Sequence, residues 1–269
     1  MKVLVVGAGS PNADLVAEVL RSSGVEAEWT DRVKTPRLSL IRKADVVYGI
    51  YLQTCSRYIL AAKLMGRRTI VHFVGSDAYW VARELSSWRQ MYWRVVLNHC
   101  DLLFYVSPHL EKMIGRTGVV LPFPISTDQF RRARSLKVIP DRDILYYCPS
   151  GEANERIYRL SWIKQYAQAH LDEKITIIGN VSHPATYAIN LPNVDVIPFV
   201  ERSQMPGLYR RHRRLIRMTT EDGLPRMVHE ALLAGLKVTY NGEEMTLVPK
   251  EREPAEFAAT FTEAVQNLK

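Results

Sequence analysis

The chain has 269 residues, 47% hydrophobic and 24% charged, and carries a net charge of +8 from 36 basic and 28 acidic side chains. That length suits one large domain or two ordinary ones, and the apolar content excludes a disordered chain. No apolar run approaches the roughly 20 residues needed to span a bilayer, and the basic excess leaves nucleic acid, anionic membrane and phosphorylated small molecules as candidate partners.

The N-terminus, MKVLVVGAGS, reads as a first strand running into a glycine turn, not as a signal peptide. Helical apolar spacing follows from Asn12 to Arg21, with Gly24 as a stop. ADVVYGIY (44–51), RTIVHFVG (68–75) and DLLFYVS (101–107) are further strands, the last two with helices in front. Their continuous apolar character predicts burial on both faces, as in a parallel sheet. Residues 119–143 are rich in proline and charge and have no sustained period, so they read as a linker. The alternation then resumes. DILYYCPSG, a helix over 157–170, KITIIGN, VDVIPF, a helix over 205–211, RLIRMTT, a helix over 225–234, KVTYN and a last helix over 254–268 follow in turn. Two doubly wound α/β domains are expected, 1–125 and 126–269.

The stretch with the sharpest chemistry is EDGLPRMVHEALLAGLKV, from Glu221. Asp222 falls in the turn at the carboxyl end of a strand. Glu230 falls on a helix that Pro225 opens and Gly235 closes. Open α/β sheets bind ligands at that end, and a helix start seats phosphate. A carboxylate beside it can accept hydrogen bonds from a ribose diol. On an otherwise apolar helix, Glu230 needs a partner to offset its desolvation.

The stretch resembles the acid–seven residues–acid signature of retaining glycosyltransferases of the GT-B fold, in the large family 4 that uses nucleotide-sugar donors. VVLPFPISTDQF is similar to that family's segment between domains, VSPHLEKMIG to the segment before it, and VIPFVERSQMPGLYRRHRRLIRMTTEDG to its run into the signature. The resemblance implies two Rossmann-like domains facing a cleft, 1–125 on the acceptor side and 126–269 binding the nucleotide sugar, with the C-terminal helix a candidate to cross back. It implies metal-independent transfer of a hexosyl group, with retention, from a nucleoside-diphosphate sugar. Glu230 would hold the donor ribose, and Asp222 would contact the donor sugar, with Glu221 one residue out of register as the alternative. Gly223, Leu224 and Pro225 would form the phosphate-binding helix entrance. Gly9 would allow close approach to the diphosphate, and His72 would lie near the reacting sugar. No cofactor and no metal are implied. The family's arginine and lysine after the first strand of the second domain are replaced by CPSGEANERIY, where Arg156 stands in for the lysine and Ser150 or Gly151 for the arginine. Charge on the leaving group is a large catalytic term, so a sugar-nucleotide-binding protein with impaired catalysis is the alternative.

Other features have plainer readings. Asp77 suits a helix cap. G-A-G-S-P-N is an incomplete dinucleotide fingerprint. Asp141-Arg142-Asp143 precedes its strand and reads as solvated charge. Asn180-Val181-Ser182 is a glycosylation sequon by spelling. Val81, Leu85, Trp88, Tyr92 and Val95 form one helical stripe, expected in the core, while Trp80 and Trp93 fall off it beside Arg83, Arg89 and Arg94. Those aromatics and arginines suit an anionic membrane surface, and a lipid-linked acceptor is one candidate. The Arg210–Arg214 cluster is either a solvated face or a contact for lipid or phosphate. The first 125 residues hold 16 basic and 10 acidic side chains, so the positive excess lies on the acceptor side. Nucleic acid is not expected, since no groove-reading motif is present. Cys55, Cys100 and Cys148 have no metal-ligand spacing, and so sparse a count fits a reducing compartment. The expected place is the cytoplasm, with the inner membrane face as a candidate.

Overall fold

In a computed structural model of the protein, the described residues are 1–269 except 8–10, 32–33, 84–85, 126, 150–154, 180–186, 198, 221–224, 249–252 and 269, and the side chains of Pro11 and Arg156 also fall outside the description. The chain divides into two units, Met1–Ile125 with Lys250–Lys269, and Ser126–Pro249.

The first unit contains β1 (Lys2–Val6), α1 (Pro11–Ser22), β2 (Glu26–Thr30), α2 (Leu38–Lys43), β3 (Val46–Ile50), α3 (Leu52–Leu64), β4 (Arg68–Phe73), α4 (Ser76–Ala82), α5 (Ser87–Asn98), β5 (Leu102–Tyr105), α6 (Pro108–Ile114) and β6 (Val119–Val120). The strands pair in parallel in the order β2-β1-β3-β4-β5-β6. Every residue of β3 is buried, which is why its sequence is an unbroken apolar run. β2, EAEWT, lies at the edge and keeps three of its residues out of the core. Its polar sequence gave no strand signal.

The second unit contains α7 (Thr127–Ser135), β7 (Arg142–Tyr147), α8 (Glu155–Tyr158), α9 (Leu160–Ala169), β8 (Ile175–Ile178), β9 (Val194–Ile197), a 3-10 turn (Arg202–Gln204), α10 (Met205–Arg210), β10 (His212–Arg217), α11 (Arg226–Leu233), β11 (Lys237–Tyr240) and β12 (Glu243–Met245). Its sheet runs β12-β11-β10-β7-β8-β9, parallel except for β12, which pairs antiparallel with β11. The strand order reverses between β1 and β3 in the first sheet and between β7 and β10 in the second. Such switch points leave a crevice beyond the carboxyl ends of the strands.

The last helix, α12 (Pro254–Gln266), crosses back and packs in the first unit. Phe257, Phe261 and Val265 are fully buried. The Phe261 ring lies 5.3 Å from Tyr48 and 5.8 Å from Phe104, centre to centre. Arg68 Nη1 donates to the Val265 carbonyl at 3.4 Å.

Three expectations need correction. Residues 119–143 are not a plain linker: they hold β6 and α7, whose Thr127, Phe130 and Ala133 are buried at helical spacing between charged neighbours. The helix expected over 157–170 is two helices, parted at Arg159, which has φ 47° and ψ 54°. The aromatic segment 79–96 is also two helices. α4 ends at its cap residue Arg83, and α5 restarts with its own phase. Trp88 and Val95 are therefore 64% and 42% exposed, while Trp93 packs partly against the core. Leu85 lies outside the described residues.

Candidate functional site

The carboxylate whose partner the sequence left open is Glu230. It lies one turn into α11, where Val228, His229, Ala231 and Leu233 are also buried. The residue is 6% exposed. Its Oε2 accepts a hydrogen bond from the Tyr209 hydroxyl at 3.0 Å, and its Oε1 lies 4.0 Å from Nη2 of Arg202. That nitrogen is buried and makes no hydrogen bond among the described residues. Tyr209 is the buried residue of α10: its ring is fully buried, edge-on to Phe130 of α7 at 5.9 Å. Burial pushes the Tyr209 hydroxyl well above its usual range and Glu230 adds to this, while the charges of Arg217 and Arg226 act the other way. The hydroxyl stays protonated and donates.

Arg217 closes β10 at the switch point. It is 3% exposed, and its guanidinium lies 4.6 Å from the centre of the Tyr147 ring, at the end of β7, and 4.7 Å from that of Tyr158. Two tyrosine faces thus hold a cation at the carboxyl ends of the two strands where the order reverses. The segment after β10 is anchored at its start. Thr219 N donates to Asn241 Oδ1 at 2.7 Å, and Thr220 N to the Ile157 carbonyl at 3.2 Å. Pro225 is the residue before α11. At the other end Gly235, with φ 87°, lets its own N–H and that of Leu236 reach back to Leu232 and Ala231, the glycine stop that the sequence shows. The result is one nearly buried carboxylate with Arg202 beside it and Arg217 and Arg226 close enough to act on its tyrosine partner. Such a balance favours an anion.

Of the expected donor residues, Glu230 and Pro225 are placed at this helix. Gly9, Glu221, Asp222, Gly223 and Leu224 lie outside the described residues, as does the side chain of Arg156, whose backbone is in α8. The sequon at 180–182 is also outside. Tyr209, Arg202, Arg217 and Arg226 carried no sequence signal of their own, although the first three sit in the quoted run into the signature and Arg226 in the signature stretch itself.

The structure places His72 in an aromatic shell. It lies on β4, fully buried, with its ring 4.3 Å from Phe123 and 5.7 Å from Phe104. Its Nδ1 pairs with the Tyr48 hydroxyl. Nε2 makes no hydrogen bond of good geometry among the described residues. Burial lowers the ring to about 3, a shift partly offset by the Leu121 backbone. The ring is thus neutral and enclosed. Asp77, expected as a cap, instead ties two helices together. Its Oδ1 accepts from the N–H groups of Val74 and Gly75 at 2.9 and 3.0 Å, and its Oδ2 from Leu52 N, at the start of α3, at 3.3 Å.

The basic cluster at 209–214 is engaged within the unit. Arg211 pairs with Asp141 at 2.7 Å, Arg213 with Asp143 at 3.2 Å, and Arg214 with Glu173 at 2.8 Å. Arg210 donates to the Leu136 carbonyl at 3.1 Å, and His212 is buried against Thr176. These pairs also account for the Asp-Arg-Asp triplet, whose Arg142 meets Asp195. Among the described residues no group of His, Cys, Asp and Glu is placed to hold a metal ion, and no helix is long and apolar enough to cross a membrane.

No described protein family and no curated protein matches the sequence. Solved structures do match over nearly the whole chain. The Escherichia coli trehalose-6-phosphate protein bound with UDP-2-fluoro glucose is 10% identical, with a TM-score of 0.65 over 99% of this chain and 92% of that one. Sucrose-phosphate synthase from Thermosynechococcus elongatus is 14% identical, with a TM-score of 0.62 over 99% and 90%. HepE from Anabaena in complex with UDP is 14% identical, with a TM-score of 0.60 over 99% and 91%, and it is also solved with UDP-glucose. At such identities the likeness is one of fold, and the fold of this chain is that of the GT-B glycosyltransferases.

Proposed function

We propose that this chain is a glycosyltransferase that moves a hexosyl group from a nucleoside-diphosphate sugar to an acceptor, with retention and without a metal. The observation that carries the reading is Glu230, held by Tyr209 beside Arg202 at the start of α11. Oε1, which has no hydrogen bond from Tyr209, accepts from the ribose diol. The start of α11 and the guanidinium groups of Arg202, Arg217 and Arg226 offset the diphosphate, and they replace in part the arginine missing after β7. Stabilising the departing diphosphate is the main chemical help that such a site gives. Asp222, or Glu221, contacts the sugar, and Gly9, Gly223, Leu224 and Pro225 leave room for the phosphates. Arg156 adds a further cation. No step is assigned to His72. The fold neighbours solved with UDP and UDP-glucose support a donor of this class.

A thermal-shift panel of UDP, GDP, ADP and their sugar conjugates tests the reading, because a ligand that binds only the folded state raises Tm. At least one nucleoside diphosphate should raise it, and the matching sugar conjugate should be turned over in excess EDTA. No shift with any of them removes the reading. Activity abolished by EDTA and restored by Mn²⁺ removes the metal-free mechanism. Binding without turnover of any acceptor leaves a donor-binding protein only.

A further inference from the structure

The donor residues proposed above make no use of the outer surface formed by α4, α5 and α6. The twelve residues of α5 include Arg89 and Arg94 and no acid. One side of the helix faces the core through Val96 and Leu97, with Tyr92 and Trp93 partly buried. The opposite side presents Trp88, Met91 and Val95, three and four residues apart, at 64%, 65% and 42% exposure, and Trp80 of α4 is 67% exposed. Contiguous exposed apolar groups of this size mark a surface that something covers. Two arginines lie over rings: Arg89 over Trp88 at 5.2 Å and Arg83 over Tyr79 at 5.1 Å. Beside this stripe is a groove of about 420 Å³, with Val81, Trp93, Leu97 and Met113 as apolar lining and Arg94 and Arg116 as its cations. Arg116 is steadied by the Asn98 side chain.

We propose that this face seats the first unit on an anionic bilayer. Trp80, Trp88 and Met91 enter the headgroup boundary, and lipid phosphates lie on Arg94 and Arg116. Charge complementarity selects this occupant. Arginines without acids on α5 exclude a cationic partner. A groove with an apolar lining and two cations matches a molecule with an anionic head and an apolar tail, which a flat acidic protein surface does not supply. Indoles lie stably at such boundaries, and each basic group there is attracted to the lipid charge. The proposal goes beyond the donor reading and stands or falls without it.

The test is sedimentation of the full chain with vesicles of equal parts phosphatidylglycerol and phosphatidylcholine, or of phosphatidylcholine alone. Wild-type protein should sediment with the anionic vesicles at low salt, at least tenfold more than with neutral ones, and release as salt screens the charge. Tryptophan emission should shift to the blue on binding. The double variants W88S/M91S and R94E/R116E should each weaken binding at least tenfold, while K237E, a charge reversal on the second unit, should not. Melting curves and nucleotide thermal shifts, recorded for every variant, separate loss of the surface from loss of fold or donor site. No binding to anionic vesicles at low salt overturns the proposal. So does equal binding by both double variants while they remain folded. Self-association that W88S/M91S abolishes, without any vesicle binding, also overturns it and makes the face a contact between copies.

Discussion

His72 and Glu230 are both polar side chains on mainly apolar elements, one in each unit, and their surroundings give them different work. His72 is enclosed by Tyr48, Phe104 and Phe123, and burial keeps its ring neutral. Glu230 is almost as deep, yet its partners are a hydroxyl and a guanidinium, and it stands at a strand-order reversal. An aromatic shell makes a polar group part of the core. A shell of excess positive charge suits it to a binding site, the role proposed for Glu230. Changes around His72 should therefore move stability, and changes around Glu230 should move ligand affinity.

The largest effect is expected at Phe261→Ala. It opens a cavity in the ring cluster around Tyr48 and should cost about 3–5 kcal/mol of stability. Tm should drop, while nucleotide affinity below the new Tm stays within twofold. A large loss of affinity in folded protein would blur the distinction.

The pH dependence of stability sharpens it next. The folded His72 takes a proton only near pH 3, whereas an unfolded histidine takes one near 6.5. The stability present above pH 6.5 is therefore lost progressively as pH falls from 6.5 towards 3, by up to roughly 4 kcal/mol. His212, also lowered by burial, adds to the same trend. His72→Phe should flatten the curve of Tm against pH between 6 and 4 but leave the His212 part. An unchanged curve in His72→Phe would mean that the ring is not sealed.

A smaller effect is expected at Tyr209→Phe. The carboxylate then loses a hydrogen bond, which costs about 1–2 kcal/mol. Urea unfolding should show that loss, and nucleotide affinity should fall several-fold because Glu230 is less well held. Unchanged affinity would indicate that Arg202 alone positions the carboxylate.

Much of this was legible in the sequence because burial on both faces writes itself as continuous apolar runs. β3, β4, β5 and β8 stand out for that reason. β2 stayed hidden because an edge strand needs few apolar residues, and α7 because Phe130 and Ala133 sit among arginines. The phase of α5 could not be read across residues 83–86, so Trp88 and Val95 were expected inside. Glu230 was legible from its spacing to Pro225 and Gly235. Its partners were not, since Tyr209 and Arg202 come from α10 and the 3-10 turn, and only packing brings them to α11. The shell of His72 was not legible either, because one histidine at the end of an apolar strand looks the same whether it faces a ligand or three rings.

The central claim is that Glu230 holds a nucleotide in the second unit. Calorimetric titration of the nucleoside diphosphate that gives the largest thermal shift, into wild-type protein and Glu230→Ala, tests it most directly. Losing a hydrogen bond to a charged group costs about 1.5–3 kcal/mol, so the variant should bind roughly 10- to 100-fold more weakly while its melting curve remains cooperative. Equal affinity in a folded Glu230→Ala protein would contradict the claim and leave Glu230 as a buried carboxylate that only Tyr209 and Arg202 require.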